Sequence, residues 1–85
     1  MKIEIEKQDF DLLIQNNLLP NIVDFIENND YSILISSDLL GFELLLDNLS
    51  DLIAEKGIGE DGEINNFGLR IELIIDQIND KIGSF

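Results

Sequence analysis

The sequence predicts a small α+β domain in which two short strands pack against three to four helices. The first observation behind this prediction is a change of hydrophobic period, from alternation at residues 2–6 to spacings of three and four in longer segments. The second is that 45% of the 85 residues are hydrophobic, enough to form a core in one acidic domain covering residues 1–85. The alternative is an all-α helical bundle, in which the strands would extend helices.

The N-terminal segment predicts a strand followed by a helix. Residues 2–6 alternate polar and apolar side chains, which is the pattern of a half-buried strand. A helix is expected to start at Lys7 or Gln8, and Asn16 and Asn17 are expected to end it. Its apolar stripe is Phe10, Leu13, Ile14 and Leu18.

Residues 20–26 predict a short second helix, because Pro20 suits the first position of a helix. Its buried side would carry Ile22, Phe25 and Ile26. The polar residues 28–30 are expected to end this helix. Residues 31–35 are rich in β-branched and aromatic side chains and predict the second strand.

A long third helix is predicted over residues 38–56, with N-cap candidates at residues 36–38. The residues expected on its buried face are Leu39, Phe42, Leu45, Leu46, Leu49, Leu52 and Ile53. Gly57 is expected to adopt the left-handed conformation that commonly follows a helix C-terminus. Asn65 or Asn66 is expected to cap a last helix, whose buried stripe is Phe67, Ile71, Ile74, Ile75, Ile78 and Ile82.

The acidic segment before the last helix has some spacings of a calcium-binding EF-hand loop. Asp61, Glu63, Asn65 and Glu72 match four of its ligand positions. However, Asn66 occupies the position that requires glycine, and the expected helix overlaps the loop. An ordinary acidic turn followed by a helix cap explains the segment, so we predict no metal site.

Histidine and cysteine are both absent from the chain. This excludes Ser-His-Asp and Cys-His nucleophiles, and it excludes zinc bound by imidazole or thiolate. A pair of carboxylates could hydrolyse glycosides, but 85 residues leave little room for a sugar cleft. We therefore expect neither an enzyme nor a bound cofactor.

The net charge of −13 indicates the class of partner. Nucleic acid and anionic lipid would be repelled, so neither direct nucleic-acid binding nor membrane binding is expected. A basic protein would be attracted. The N-terminal residues show no apolar run typical of a signal peptide, and the chain lacks cysteine, so we expect a cytoplasmic protein.

The third helix carries leucines and carboxylates nearly opposite its core stripe, and the last helix carries leucines off its main stripe near two aspartates. These candidate partner-binding residues are Leu40, Glu43, Leu44, Asp47, Asp51, Glu55, Leu69, Leu73, Asp76 and Asp80. Apolar anchors beside acidic side chains suit the recognition of a basic protein. The same leucines could instead be additional core residues or a homodimer interface.

Three functional hypotheses follow. The first is a small acidic protein-binding inhibitor, comparable in size and acidity to an immunity protein that neutralises a bacterial toxin or nuclease. The second is a DNA mimic that antagonises a nucleic-acid-binding protein, since Glu43, Asp47, Asp51 and Glu55 form a row of carboxylates at intervals of four residues. The third is a structural adaptor that dimerises through its leucines. We favour the first.

Overall fold

The computed structural model, which describes residues 1–83, has the predicted α+β character. Strands β1 (Lys2–Glu6), β2 (Asp24–Glu27) and β3 (Ser32–Ser36) form one antiparallel sheet in the order β1-β3-β2. The helices are α1 (Lys7–Gln15), α2 (Leu39–Lys56) and α3 (Asn66–Gly83). The chain divides into two units, Met1–Leu45 and one that begins at Leu46, and α2 continues from the first into the second. A single domain over residues 1–85 stays a prediction.

The sheet is built on alternation, as the sequence predicts for β1. Ile3 pairs with Ile35 and Ile5 pairs with Ile33, and all four side chains are buried. The intervening residues of β1 are charged and exposed. Helix α1 packs against β1 and β3. This arrangement places the apolar face of the two strands in the core of the first unit, while the charged residues of β1 remain in solvent.

The predicted second helix at residues 20–26 is wrong, because this part of the chain forms a turn and then β2. A helix of seven residues has few internal hydrogen bonds to offset its nucleation cost. A hairpin with β3 is available instead, because Asn29 Oδ1 accepts hydrogen bonds from the backbone N–H groups of Tyr31 (2.8 Å) and Ser32 (3.0 Å). The supposed buried side is also wrong, since Ile22, Phe25 and Ile26 are all exposed.

Helix α1 ends where its two asparagines predict. Asn16 donates both its backbone N–H and its side-chain Nδ2–H to the carbonyl oxygen of Leu12, at 3.1 and 2.9 Å. Asn17 has φ = 55°, a left-handed conformation that asparagine tolerates better than most residues. Ile14, predicted in the stripe of this helix, is exposed.

The long helices bury narrower stripes than predicted. In α2 the buried side chains are Phe42, Leu45, Leu49 and Leu52, and in α3 they are Ile71, Ile74 and Ile78. Residues at the margins of each stripe are half-buried, namely Leu46, Ile53, Phe67, Ile75 and Ile82. Leu39 is exposed because it lies at the margin of the stripe, at the first residue of α2.

Gly57 does not adopt the predicted left-handed conformation. Among the described residues, only Asn17 and Gly62 have positive φ. Gly57 continues the helical hydrogen bonding, since its N–H donates to the carbonyl oxygen of Ile53 at 2.8 Å. No helix within residues 1–83 is long and apolar enough to cross a membrane.

Candidate functional site

Helix α2 carries six of the predicted partner-binding residues, and its start is determined by Asp38. Asp38 Oδ1 accepts a hydrogen bond from the backbone N–H of Gly41 at 3.0 Å, which is the geometry of an N-cap. Downstream of this cap the residues at spacings of three and four fall on one side of the helix. Those on the side opposite the buried stripe are Leu40, Glu43, Leu44, Asp47, Asp51 and Glu55.

The structure places all six of these side chains in solvent. Leu40 is 58% exposed and Leu44 is 41% exposed, so neither leucine is an additional core residue. We call this side of α2 the α2 face. It is apolar near the N-terminus of the helix and acidic toward the C-terminus, where Asp47, Asp51 and Glu55 follow one another at intervals of four residues, about 6 Å per step.

Helix α3 begins at a cap formed by Asn65. Its Oδ1 accepts a hydrogen bond from the backbone N–H of Gly68 at 2.8 Å, and its Nδ2–H donates to the carbonyl oxygen of Lys56 at 2.9 Å. One side chain therefore closes the end of α2 and opens α3. The sequence left Asn65 and Asn66 as alternative caps, and the structure assigns the cap to Asn65.

The side of α3 opposite its buried stripe holds the other four predicted residues, and we call it the α3 face. Leu69 is 46% exposed and Leu73 is 62% exposed. Asp76 and Asp80 follow on the same side and are exposed. As on α2, the leucines lie toward the N-terminus of the helix and the carboxylates toward its C-terminus.

The α2 and α3 faces repeat each other residue by residue. Leu40, Leu44, Asp47 and Asp51 recur 29 residues later as Leu69, Leu73, Asp76 and Asp80. The buried positions keep the same offset, because Phe42, Leu45 and Leu49 recur as Ile71, Ile74 and Ile78. The two helices therefore share one pattern of buried and exposed positions, including two exposed leucines that folding leaves uncovered.

This repeat identifies a further acidic residue on the α3 side of the molecule, one that was not predicted to belong to a face. Glu43 recurs 29 residues later as Glu72, which is exposed on α3 and extends its row of carboxylates to Glu72, Asp76 and Asp80. The signal was present in the sequence, since aligning the chain with itself at this offset matches Glu43 to Glu72 directly. In the EF-hand spacing, Glu72 instead matches the last calcium-ligand position.

The turn between the long helices is closed by its own hydrogen bonds. Ile58 and Ile64 form an isolated antiparallel bridge, and the N–H of Gly59 donates to the carbonyl oxygen of Glu63 at 2.7 Å. Asp61 Oδ1 accepts a hydrogen bond from the N–H of Glu63 at 3.0 Å. Within residues 1–83 no group of three acidic side chains is arranged to hold a metal ion.

Nearly all the acidic side chains face solvent. Asp9 is the single buried one of the 18 carboxylates. Lys7 and Glu27 form an ion pair with 3.7 Å between Nζ and Oε1, in which the Lys7 side chain is about half exposed and the Glu27 side chain largely exposed. The negative charge is therefore a property of the surface, and it acts on any molecule that approaches the α2 or α3 face.

Comparisons with protein-family models, with curated proteins and with solved structures find no match for this chain. The features of this chain that bear on its function are the repeated exposed leucines and the excess of surface carboxylates.

Proposed function

We propose that this chain is a small acidic protein-binding inhibitor, similar in kind to an immunity protein, that neutralises a basic partner such as a bacterial toxin or nuclease in the cytoplasm. In this proposal the chain is not an enzyme. The observation that supports it most is the repetition of one exposed face on two helices, with the leucines Leu40 and Leu44 on α2 matched by Leu69 and Leu73 on α3.

The exposed leucines supply the apolar part of an interface. An i, i+4 pair such as Leu40 and Leu44 lies on one side of a helix, and so does the pair Leu69 and Leu73. Burial of apolar surface contributes about 25 cal/mol per Å², so covering these four leucines would stabilise a protein contact. Scattered exposed leucines are ordinary, but two pairs repeated at one offset call for an explanation in terms of binding.

The carboxylates beside those leucines favour a basic partner. On the α2 face, Asp47, Asp51 and Glu55 follow the leucine pair, and on the α3 face Asp76 and Asp80 do so. A surface of one sign attracts the opposite sign over roughly a Debye length, which raises the association rate and makes it sensitive to salt. A nuclease offers a matching surface, because it binds phosphates through clustered Lys and Arg.

A second candidate is a DNA mimic that occupies a nucleic-acid-binding protein. It is favoured by the regular rows of carboxylates, Glu43, Asp47, Asp51 and Glu55 on α2 and Glu72, Asp76 and Asp80 on α3. Carboxylates repeated about 6 Å apart along a helix resemble the regularly spaced phosphates of a nucleic-acid backbone. An irregular acidic surface lacks this regularity. Competition with duplex DNA separates a mimic from a structural role, and the leucines separate it from the inhibitor, since binding by a mimic depends little on Leu44 and Leu73.

A structural adaptor that dimerises through the exposed leucines is the remaining alternative. Light scattering separates it from the inhibitor. A dimer whose stability is insensitive to salt would indicate leucine-mediated self-association, in which the charge serves only solubility.

The proposed function is tested by co-expression with the protein encoded beside this chain, where that neighbour ends in a basic domain. We expect the two proteins to co-purify, and we expect the activity of the neighbour to be lost in the complex. Replacement of Leu44 and Leu73 by Lys should abolish both effects, whereas replacement of the exposed Gln15 and Tyr31 by Lys, which changes the net charge equally, should not. A neighbour that stays active and unbound beside the folded chain contradicts the proposal.

A further inference from the structure

The two edges of the sheet differ in how they are protected. At one edge, β1 buries Ile3 and Ile5 and turns charged residues toward solvent. At the other edge, all four residues of β2 are exposed, including Phe25 (51%) and Ile26 (60%). An open edge strand with exposed apolar residues is a template for pairing with another chain. We propose that the β2 edge binds an extended cationic segment of another protein by strand addition, a contact separate from the α2 and α3 faces.

A pocket beside β2 gives such a segment a place for a side chain. The pocket has a volume of about 380 Å³, and Ile14, Leu19, Pro20 and Phe25 are among the residues that line it. Asp24 and Phe25 belong both to the pocket and to β2, so the pocket opens next to the strand. Strand addition typically combines backbone hydrogen bonds with pockets for alternate side chains, and both elements are present here.

The wall of this pocket is held in place by an aromatic contact. The rings of Phe10 and Phe25 have centroids 4.7 Å apart and an interplanar angle of 52°. Phe10 is buried in α1, so the contact fixes one side of the half-exposed Phe25 ring. The exposed part of the Phe25 ring remains available to a bound segment. Because Phe10 already holds the ring, the Phe25 side chain loses little conformational freedom on binding.

The charges of β2 determine which segment fits. Asp24 and Glu27 stand on either side of Phe25 and Ile26. A second copy of this chain would bring a further net charge of −13 to the edge, and this repulsion disfavours self-pairing. A segment with Lys or Arg opposite Asp24 and Glu27 and apolar residues between them forms opposite-charge pairs instead. Lys7 lies 3.7 Å from Glu27 but leaves it largely exposed, and no basic residue of β2 itself opposes the binding of cations.

The probe for this proposal is a fluorescein-labelled octapeptide with Lys-Val-Val-Lys at its centre, titrated into the full chain at roughly 150 mM NaCl. Its partner probe has both valine nitrogens methylated, which blocks hydrogen bonding on either edge without changing charge or side chains. We expect the methylated peptide to bind about tenfold more weakly, because it loses backbone hydrogen bonds. We also expect amide signals of residues 24–27 to shift on binding. Equal affinity of the two peptides overturns the proposal, since it would show attraction by charge alone.

Two variants locate the site. Asp24→Lys on β2 should weaken binding by about fivefold or more, while Glu6→Lys on β1 makes the same change in charge and should alter it by less than about twofold. If Asp24→Lys fails to fold, Ile14→Lys in the pocket is the second test, and it should also weaken binding because it adds a cation beside the strand. Equal effects of Asp24→Lys and Glu6→Lys overturn the proposal. So does a dimer of the free chain that Ile26→Lys dissociates, because a second copy would then occupy the edge.

Discussion

The backbones of Gly57 and Gly68 meet where α2 ends and α3 begins. A Cβ atom added to Gly57 would lie 3.0 Å from the Cα of Gly68, and one added to Gly68 would lie 3.0 Å from the carbonyl carbon of Gly57 and 2.6 Å from Ile64 Cγ1. Neither glycine has positive φ. Glycine is therefore required here for close approach of two backbone segments rather than for a left-handed turn.

Gly68→Ala should destabilise the chain by about 1–3 kcal/mol, because the added methyl group would be forced against backbone and Ile64. An ordinary Gly→Ala change inside a helix stabilises by about 0.5–1 kcal/mol. Gly83→Ala on the same helix is the matched control, since a methyl group added there would meet nothing within 4 Å. Urea denaturation measures both. A Gly68→Ala variant as stable as Gly83→Ala would contradict the close contact.

Asn65→Ala should cost about 1–2 kcal/mol, because it removes the N-cap of α3 and the hydrogen bond to the carbonyl oxygen of Lys56. Asn65→Asp separates the two contributions, since aspartate keeps the cap acceptor but cannot donate to Lys56. We expect it to recover the greater part of the loss. Asn66→Ala, at an exposed neighbouring position, should be nearly neutral. Thermal unfolding followed by circular dichroism compares the three variants.

Leu73→Ala and Ile74→Val test which residues of α3 the fold uses. Leu73 is 62% exposed and its neighbour Ile74 is buried. Removing most of the Leu73 side chain should change the free energy of unfolding by no more than about 0.5 kcal/mol. Removing one methyl group from Ile74 should cost about 0.5–1.5 kcal/mol. If Leu73→Ala proved the more damaging change, the α3 face would belong to the core and could not anchor a partner.

Local patterns in the sequence predicted the long helices and β1 well. The spacing of Phe42, Leu45 and Leu49 predicts one buried side of a helix, whatever that helix packs against. In the same way, the alternation of residues 2–6 predicts one buried face of a sheet. The same spacing placed Leu40 nearly opposite the core stripe and Leu73 off it, while a second, buried contact of these leucines remained an alternative. These inferences succeeded because each depends only on neighbours a few residues apart.

The failures involve contacts between residues distant along the chain or chemically ambiguous segments. Residues 24–27 have apolar residues that suit either a short helix or a strand, and pairing with β3 decides between them. The left-handed conformation of Gly57 was expected because glycine commonly follows a helix, whereas its actual constraint comes from the backbones of Ile53 and of Gly68, which is eleven residues away. The edge position of β2, and therefore its exposed Phe25, follows only from the strand order.

Moderate salt should raise the melting temperature of the isolated chain. With a net charge of −13 on 85 residues and nearly all carboxylates exposed, repulsion opposes the folded state. Raising NaCl from about 10 to about 100 mM shortens the Debye length from about 30 to about 10 Å and should raise the melting temperature by a few degrees. The Asp11→Lys, Glu60→Lys double variant, with a net charge of −9, should respond less. A melting temperature that falls with salt would show that local ion pairs such as Lys7–Glu27 outweigh repulsion.

Charge reversal on the α2 face tests how the proposed inhibitor finds its partner. Asp47→Lys combined with Asp51→Lys should slow association with the basic partner by roughly tenfold at low ionic strength and flatten its dependence on salt. The Asp11→Lys, Glu60→Lys pair is the control, because it gives the same net charge of −9 at exposed positions away from the α2 face. Stopped-flow fluorescence measures both association rates, and thermal unfolding verifies that both variants fold. If the two pairs slow association equally, the total charge steers the encounter and the α2 face is not the contact.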